Sequence, residues 1–422
     1  MTDVERTIEA VWRIESARLI AGLARIVRDV GIAEDLAQEA LVAALEQWPQ
    51  SGVPDNPGAW LMGTAKHRAV DRLRRAEVHE RKTRELAREL VLRGDAGDRD
   101  LDAELDDPFD DDLLRLVFTT CHPVLSTDAR VALTLRLLGG LTTAEIARAY
   151  LVSESAVVQR IVRAKRTLSA ARVPFETPDR DELGERLASV LEAIYLIFNE
   201  GYAPTAGDDA IRPDLIAEAL RLGRILAELL PSEPEVHGLL ALMELHASRS
   251  RARTGPSGEI VLLLDQDRGR WDWLLVRRGL AALERAQRSG GALGPYTLQA
   301  AISACHARAR VAADTDWERI VALYDALVEL TPSPVVELNR AVAVAMAFGP
   351  EAGLELVDAL ESEPALRDYH LLPTVRGDLL SKLGRYDEAR TELERAASLA
   401  TNRRERAALL DRVAECSTRN GR

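Results

Sequence analysis

Between residues 142 and 168 the apolar positions change phase once, and the pattern predicts two short helices joined by a tight turn. Thr142 and Glu145 form a capping box that opens the first helix, whose inner face is Ile146, Ala147 and Tyr150. Ser153 is placed to cap the second, where Val157, Ile161, Ala164 and Leu168 fall on one stripe at helical spacing. The opposite stripe offers Ser155, Gln159, Arg160, Arg163 and Arg166. A solvated helical hairpin fits this pattern. So does a helix-turn-helix whose second helix, basic outside and apolar inside, enters a major groove.

Upstream, a helix is predicted over residues 32–48, burying Leu36, Ala40, Leu41, Ala44, Leu45 and Trp48 and showing Asp35, Gln38, Glu39 and Val42 outside. Three prolines and a glycine in residues 49–57 predict a loop. A second helix over 58–75 alternates Trp60, Leu61, Thr64, Ala65, Ala69, Val70 and Leu73 with Lys66, Arg68, Arg72, Arg74 and Arg75. These elements make a first helical domain over residues 1–76. Residues 77–112 read as a charged linker, a helical extension to about 93 and then a flexible acidic stretch. A second helical domain covers 113–172, including a helix with Val131, Leu135 and Leu138 ended by Gly139 and Gly140. The proline-bearing segment 173–178 separates it from a third helical part, 179–422. The expected fold class is all-α.

Composition agrees. The 422 residues allow two to four domains, and 47% hydrophobic with only 4% aromatic residues suits a helix-rich chain. No apolar run reaches membrane-spanning length and the N-terminus lacks a signal-peptide pattern. Cys121, Cys305 and Cys416 are few and far apart, as expected in a reducing cytoplasm without disulfides. The net charge of −13 argues against a nucleic-acid partner until its distribution is followed. Residues 95–112 hold ten acidic side chains against Arg99, a local charge of −9; residues 1–172 total −3, so outside that run they carry +6. Two basic modules joined by an acidic tether suit a protein that touches DNA at two places.

The third part contains a partial repeat. Gly377, Leu380, Gly384, Tyr386, Ala389, Leu393 and Ala396 match a tetratricopeptide repeat, with small Gly377 and Ala389 allowing close helix approach and Gly384 making the turn. Residues 317–332 resemble the second helix and terminal proline of another unit, and 341–360 a weaker copy. A short superhelical array is expected.

With these pieces in place the whole chain resembles an extracytoplasmic-function sigma factor, in the subgroup with a long repeat-containing C-terminal extension. Asp35-Leu-Ala-Gln-Glu-Ala-Leu41 resembles the family's helix that docks on the β′ clamp of core RNA polymerase. That resemblance implies polymerase contacts at Asp35, Gln38, Glu39 and Val42. Residues 57–75 resemble the segment that melts and reads the −10 promoter element, implying DNA contacts from Asn56, Trp60, Lys66, His67, Arg68, Arg72, Arg74 and Arg75. The family places a pocket for an extruded base in the 51–57 loop, and a basic surface can hold the single strand by its phosphates. Trp60 lies on the apolar stripe and reads first as core, with stacking on a nucleotide the other role open to it. The helix-turn-helix resembles the −35 reader, implying contacts from Thr143, Ser153, Ser155, Ala156, Gln159, Arg160, Arg163, Lys165 and Arg166. Two positions depart from the family: Leu151 stands where glycine is common in the turn, and His67 where asparagine is common in the −10 segment.

The resemblance implies core RNA polymerase, through the β′ clamp and β flap, and promoter DNA, double- and single-stranded, as partners. The extension is expected to act as an intramolecular regulator or to dock a regulatory protein. A helix-turn-helix activator with a repeat-type sensor is the alternative, but it has no need of the N-terminal domain. No glycine-rich phosphate loop, nucleophile elbow or zinc-protease helix occurs, so no catalytic residue and no cofactor are assigned. Residues 198–204 and 265–272 resemble motifs of the subgroup. Asp265, Asp267 and Asp272 suggest a metal cluster, yet interleaved Arg268 and Arg270 predict internal salt bridges instead. Cys121-His122 and Cys305-His306 lack a second ligand pair, and no metal is expected.

Overall fold

The computed structural model describes residues 3–88, 109–150, 152–204, 211–256, 260–289 and 294–420. Among these are eighteen α-helices and no strand; one isolated antiparallel bridge joins Thr254 to Ile260. No helix among them is long and apolar enough to cross a membrane. The chain forms two compact units, residues 1–193 and 194–422.

In the first unit, α1 (Asp3–Val27), α2 (Val30–Ser51) and α3 (Pro57–Arg88) pack around Leu19, Ile20, Leu23, Leu36, Trp48 and Leu61. Asp29 starts α2, accepting from the Gly31 and Ile32 amides. Burying the Trp48 side chain, 1% exposed, contributes about 5 kcal/mol for the ~200 Å² it removes from water. The helix expected to stop at residue 48 runs on through Pro49 to Ser51. Proline this near a C-terminus removes only the N–H that would reach back to residue 45, and the Gly52 amide closes the last turn on Trp48 O at 3.0 Å. The loop is therefore shorter than expected, residues 52–56.

The unit continues with α4 (Phe109–Thr120), α5 (Thr127–Leu137), α6 (Thr143–Tyr150) and α7 (Glu154–Ala170), around Leu116, Phe118, Leu133, Leu135 and Ile146. The acidic stretch expected over 94–112 lies outside the described residues from 94 to 108. Its last residues are not tether but the first turn of α4. Asp112 is 2% exposed and sits between Arg25 and Arg115, each at 3.0 Å, which balance its charge. The long helix α8 (Arg180–Tyr202) begins in this unit, where Arg186 donates to Phe118 O, and the division into units falls within it.

The second unit consists of the end of α8 followed by α9 (Pro213–Leu229), α10 (Pro234–Ala247), α11 (Trp273–Arg288), α12 (Pro295–Arg308), α13 (Trp317–Leu330), α14 (Pro334–Phe348), α15 (Pro350–Leu360), α16 (Leu371–Lys382), α17 (Tyr386–Leu399) and α18 (Arg403–Asn420). From α12 on, consecutive helices pack pairwise, with Leu338, Leu354, Leu372, Leu380, Leu393 and Leu409 in a shared core. Gly384 ends α16 with φ +77°, and Arg385 N returns to Leu380 O at 2.9 Å. A Cβ on Gly377 would lie 2.9 Å from Leu393 Cγ, so the α16–α17 approach needs the missing side chain.

Gly353 is tighter still: its Cβ would meet Ala345 Cβ at 2.4 Å and Ala341 O at 2.8 Å. Gly353→Ala is expected to destabilise by about 1–3 kcal/mol through overpacking. Gly184, exposed inside α8 with nothing within 4 Å of its Cβ, should instead gain roughly 0.5–1 kcal/mol as alanine. Urea midpoints of the two variants, moving in opposite directions from the parent, check both.

Candidate nucleic-acid interface

The outer face of α2 presents exposed Asp35, Glu39 and Val42, with Val42 52% exposed. Leu45, which the spacing puts in the core, is 44% exposed and extends this face by one turn. Its position three residues beyond Val42 was the available signal. Gln38 belongs to the same turn, but its amide is committed to Glu34 Oε1 at 2.6 Å.

Asn56 caps α3, its Oδ1 accepting from the Ala59 amide at 3.1 Å. Trp60 packs edge-on against Trp48, ring centroids 5.3 Å apart, and is half-buried, in keeping with its place on the apolar stripe. Buried Leu61, Ala65 and Ala69 turn the other side of α3 outward, where His67, Arg72 and Arg74 are exposed and Lys66 is half-buried. His67 Nδ1 bonds Gly63 O at 2.7 Å. Arg68 reaches across to Glu39 at 3.2 Å, so a residue expected to contact DNA and one expected to contact polymerase hold one another on the surface. The Arg75 side chain lies outside the described residues.

In the second half of the unit the capping box forms: Thr142 N reaches Glu145 Oε2 at 2.8 Å, and Glu145 N reaches Thr142 Oγ1 at 3.1 Å. Ser153 Oγ accepts from the Ala156 amide at 3.2 Å and opens α7. Thr143 donates to Glu154 at 2.7 Å, pinning α6 to the start of α7. Val157, Ile161, Ala164 and Leu168 are buried as the stripe predicts, leaving Ser155, Gln159, Arg163 and Arg166 outside and Ala156 half-buried. Exposed Val158 and Val162, 41% each, interrupt that polar face; the sequence reading assigned them no role. Arg160 pairs with Asp128 at 3.1 Å. The turn residue Leu151 lies outside the described residues.

Lys165 points elsewhere. It pairs with Glu34 of α2, whose other oxygen accepts from Arg136 Nε of α5 at 2.7 Å. The Glu34 side chain is 4% exposed and each cation 20%, so one carboxylate buried in α2 anchors both α5 and α7. Arg13 of α1 adds a weaker tie to Glu145 at 3.4 Å.

Two helical domains, each with an outward basic face and carried in this order, match known families. Residues 14–78 match the family described as Sigma-70 region 2, residues 115–168 that described as Sigma-70, region 4, and residues 186–287 a family of unknown function, DUF6596. A probable RNA polymerase sigma-C factor of Mycobacterium bovis (strain ATCC BAA-935 / AF2122/97) is 30% identical over 171 residues, 40% of this chain and 82% of its own length. The chain belongs to the sigma-70 family, in its extracytoplasmic-function group. A probable ECF RNA polymerase sigma factor SigI of Mycobacterium tuberculosis (strain CDC 1551 / Oshkosh) is 28% identical over 170 residues, 39% of this chain and 56% of its own. An uncharacterized protein of Rhizobium meliloti (strain 1021) is 46% identical over 393 residues, 92% of this chain and 90% of its own, so its similarity takes in the extension as well. No solved structure matches the sigma factor.

The two subgroup motifs of the extension have structural work. Glu200 pairs with Arg212, and a Cβ on Gly201 would meet Ile216 N at 2.8 Å, so α8 and α9 cross closely there. Asp267 and Asp272 are caps: Asp267 accepts from Gly269 N at 2.8 Å, and Asp272 from the Leu274 and Leu275 amides at 3.0 and 3.2 Å. The salt bridges expected among these residues do not form. Arg270 donates to Thr254 O at 3.1 Å and Arg268 to Ala309 O at 2.7 Å and to His306 O. Among the described residues no group of three acidic, histidine or cysteine side chains is placed to hold a metal ion.

Two histidines beside this segment are held neutral. Burial first, then Arg249 and Arg253, push His246 well below its ordinary pKa of 6.5. Burial, then Arg249 and Arg268, push His306 down to about 4. The unfolded chain takes up these protons near 6.5 while the folded sigma factor does not, so stability present above that pH is lost as pH falls towards 4. His306 alone should cost about 2 kcal/mol between ~pH 7.5 and ~pH 5, read as a fall in the urea midpoint that His306→Gln reduces. In the first unit, Glu34→Ala strands two partly buried cations and is expected to destabilise by about 3–5 kcal/mol. Urea unfolding measures the loss, and small-angle scattering of the variant should show an expanded first unit.

Proposed function

We propose that this sigma factor binds core RNA polymerase through the outer face of α2, reads and melts the −10 element with α3 and the loop before it, and reads the −35 element with α7. The observation that carries this reading is the pair of solvent-facing basic surfaces on separate helical domains, α3 with Lys66, His67, Arg72 and Arg74, and α7 with Gln159, Arg163 and Arg166. Phosphate contacts from such faces give affinity and register, while side chains reaching base edges give sequence choice. Asp35, Glu39, Val42 and Leu45 offer a mixed acidic and apolar strip for the clamp. Aliphatic Val158 and Val162 suit the thymine methyl groups a major groove displays.

The two readers cannot work as they are packed. By their positions the elements lie ~25 base pairs apart, about 85 Å of duplex at 3.4 Å per step, whereas Glu34 ties α2 directly to α5 and α7. Promoter engagement therefore opens this junction and frees Lys165 for the −35 surface. The paired helices from α12 to α18 act as a tetratricopeptide-like regulatory or partner-docking arm. The protein works where the polymerase works, in the cytoplasm.

Reconstitution with core polymerase and run-off transcription from candidate promoters tests the reading. Arg163→Ala is expected to weaken binding of a −35 duplex by about 1–3 kcal/mol, and Arg72→Ala together with Arg74→Ala to lower open-complex formation with little change in −35 binding. A chain that binds duplex DNA but never associates with core polymerase would favour a helix-turn-helix activator instead.

A further inference from the structure

The second unit gathers three guanidinium groups that promoter recognition does not use. Arg249 and Arg268 are 8% and 9% exposed, and Arg253 is half-buried. None of the three has an ion pair within 4.0 Å among the described residues; Asp314 acts on Arg268 only from farther away. They rest instead on aromatic faces. The Arg268 and Arg249 guanidinium carbons lie 4.8 and 6.0 Å from the centre of Trp271, and that of Arg253 lies 3.9 Å from the centre of Tyr202. Tyr202 in turn packs on His246, ring centres 5.1 Å apart.

This arrangement carries positive charge without a counter-charge, which is costly out of water. Elsewhere in the same unit buried charge is balanced: Arg212 has Glu200, and Arg224 has Glu244 at 3.0 Å. The cluster also leaves donors unused. Arg268 Nη2 and Trp271 Nε1 are buried without a hydrogen-bond partner. A tryptophan N–H and a guanidinium can only donate, so the missing partner is an acceptor. The direction of the Tyr202 titration agrees. Burial by itself would raise the Tyr202 phenol, yet Arg249 and Arg253 outweigh it and hold the group below its usual value.

We infer that Arg249, Arg253 and Arg268, backed by Trp271 and Tyr202, form a binding site for a small molecule bearing an oxyanion, a phosphate ester or a carboxylate. Guanidinium forks match both groups, each oxygen accepting more than one hydrogen bond. The aromatic faces that now carry the cations would wall the anion from water. The residues of the site all belong to the second unit, and the inference does not depend on the promoter-reading helices.

Isothermal titration of the full chain at constant ionic strength tests this, with inorganic phosphate in one arm, citrate in the second and sodium chloride as control. Saturable one-to-one binding of phosphate, citrate or both, absent with chloride, is the expected result. Phosphate alone points to a phosphate ester, citrate alone to a carboxylate. Arg253→Gln should weaken that binding at least tenfold, while Arg251→Gln, an exposed neighbour, leaves it unchanged. Should Arg253→Gln fail to fold, Arg253→Lys, which keeps the charge but loses the fork, should bind several-fold more weakly than the parent. No saturable heat from either anion with the unmodified chain, or an Arg253 variant that binds as tightly as the parent, overturns the site.

Discussion

A carboxylate with almost no access to water, fixed between one lysine and one arginine, is the constraint on which the first unit depends. Glu34 sits on α2 among alanines and leucines, and its charge is tolerable only because α5 and α7 deliver Arg136 and Lys165 to it. Gln38, one turn along, adds a further hydrogen bond to the same oxygen that Arg136 reaches. Such a group specifies an arrangement more than it stabilises one, since an apolar replacement of the whole set can be as stable. What it specifies here is which faces of the two helical domains meet, and hence which remain outside.

The faces left outside are built by a different logic. On α3 and α7 the inner stripe is made of Leu61, Ala65 and Ala69 and of Val157, Ile161, Ala164 and Leu168, and the outer stripe carries arginines that find few partners within their own helix. Exposed pairs such as Arg68 with Glu39, or Arg160 with Asp128, lie in high dielectric and contribute little to stability. Either pair can be broken at small cost. The buried ties and the exposed ones thus divide the labour, the first setting the packing and the second remaining available.

Local chemistry was legible in the sequence. The Thr142–Glu145 box, the Ser153 cap and the Val157–Leu168 stripe each depend on residues within a few positions, and each formed as the spacing predicts. The turn at Gly384 and the close approach at Gly377 were readable for the same reason. What escaped depends on partners distant in sequence. Lys165 reads as one more basic residue on a recognition helix because Glu34 lies 131 positions away. Asp112 reads as part of an acidic tether because Arg25, in α1, gives no local sign of holding it. The aspartates of residues 265–272 looked like ligands or salt-bridge partners, and Asp267 and Asp272 became caps because their own downstream amides were nearer than any cation. Leu45 was lost to a simple ambiguity, since it falls at the edge of the apolar stripe, three residues beyond exposed Val42.

His67 shows how one backbone contact decides what a side chain can say. Gly63 O can only accept, so Nδ1 must carry the proton of the neutral ring. The lone pair is thereby left on Nε2, at the free end of an exposed imidazole. An asparagine in that place would show both an amide hydrogen and a carbonyl oxygen and could turn to suit either. In its neutral form the histidine offers only an acceptor there, which suits a donor such as an amino group and not a carbonyl.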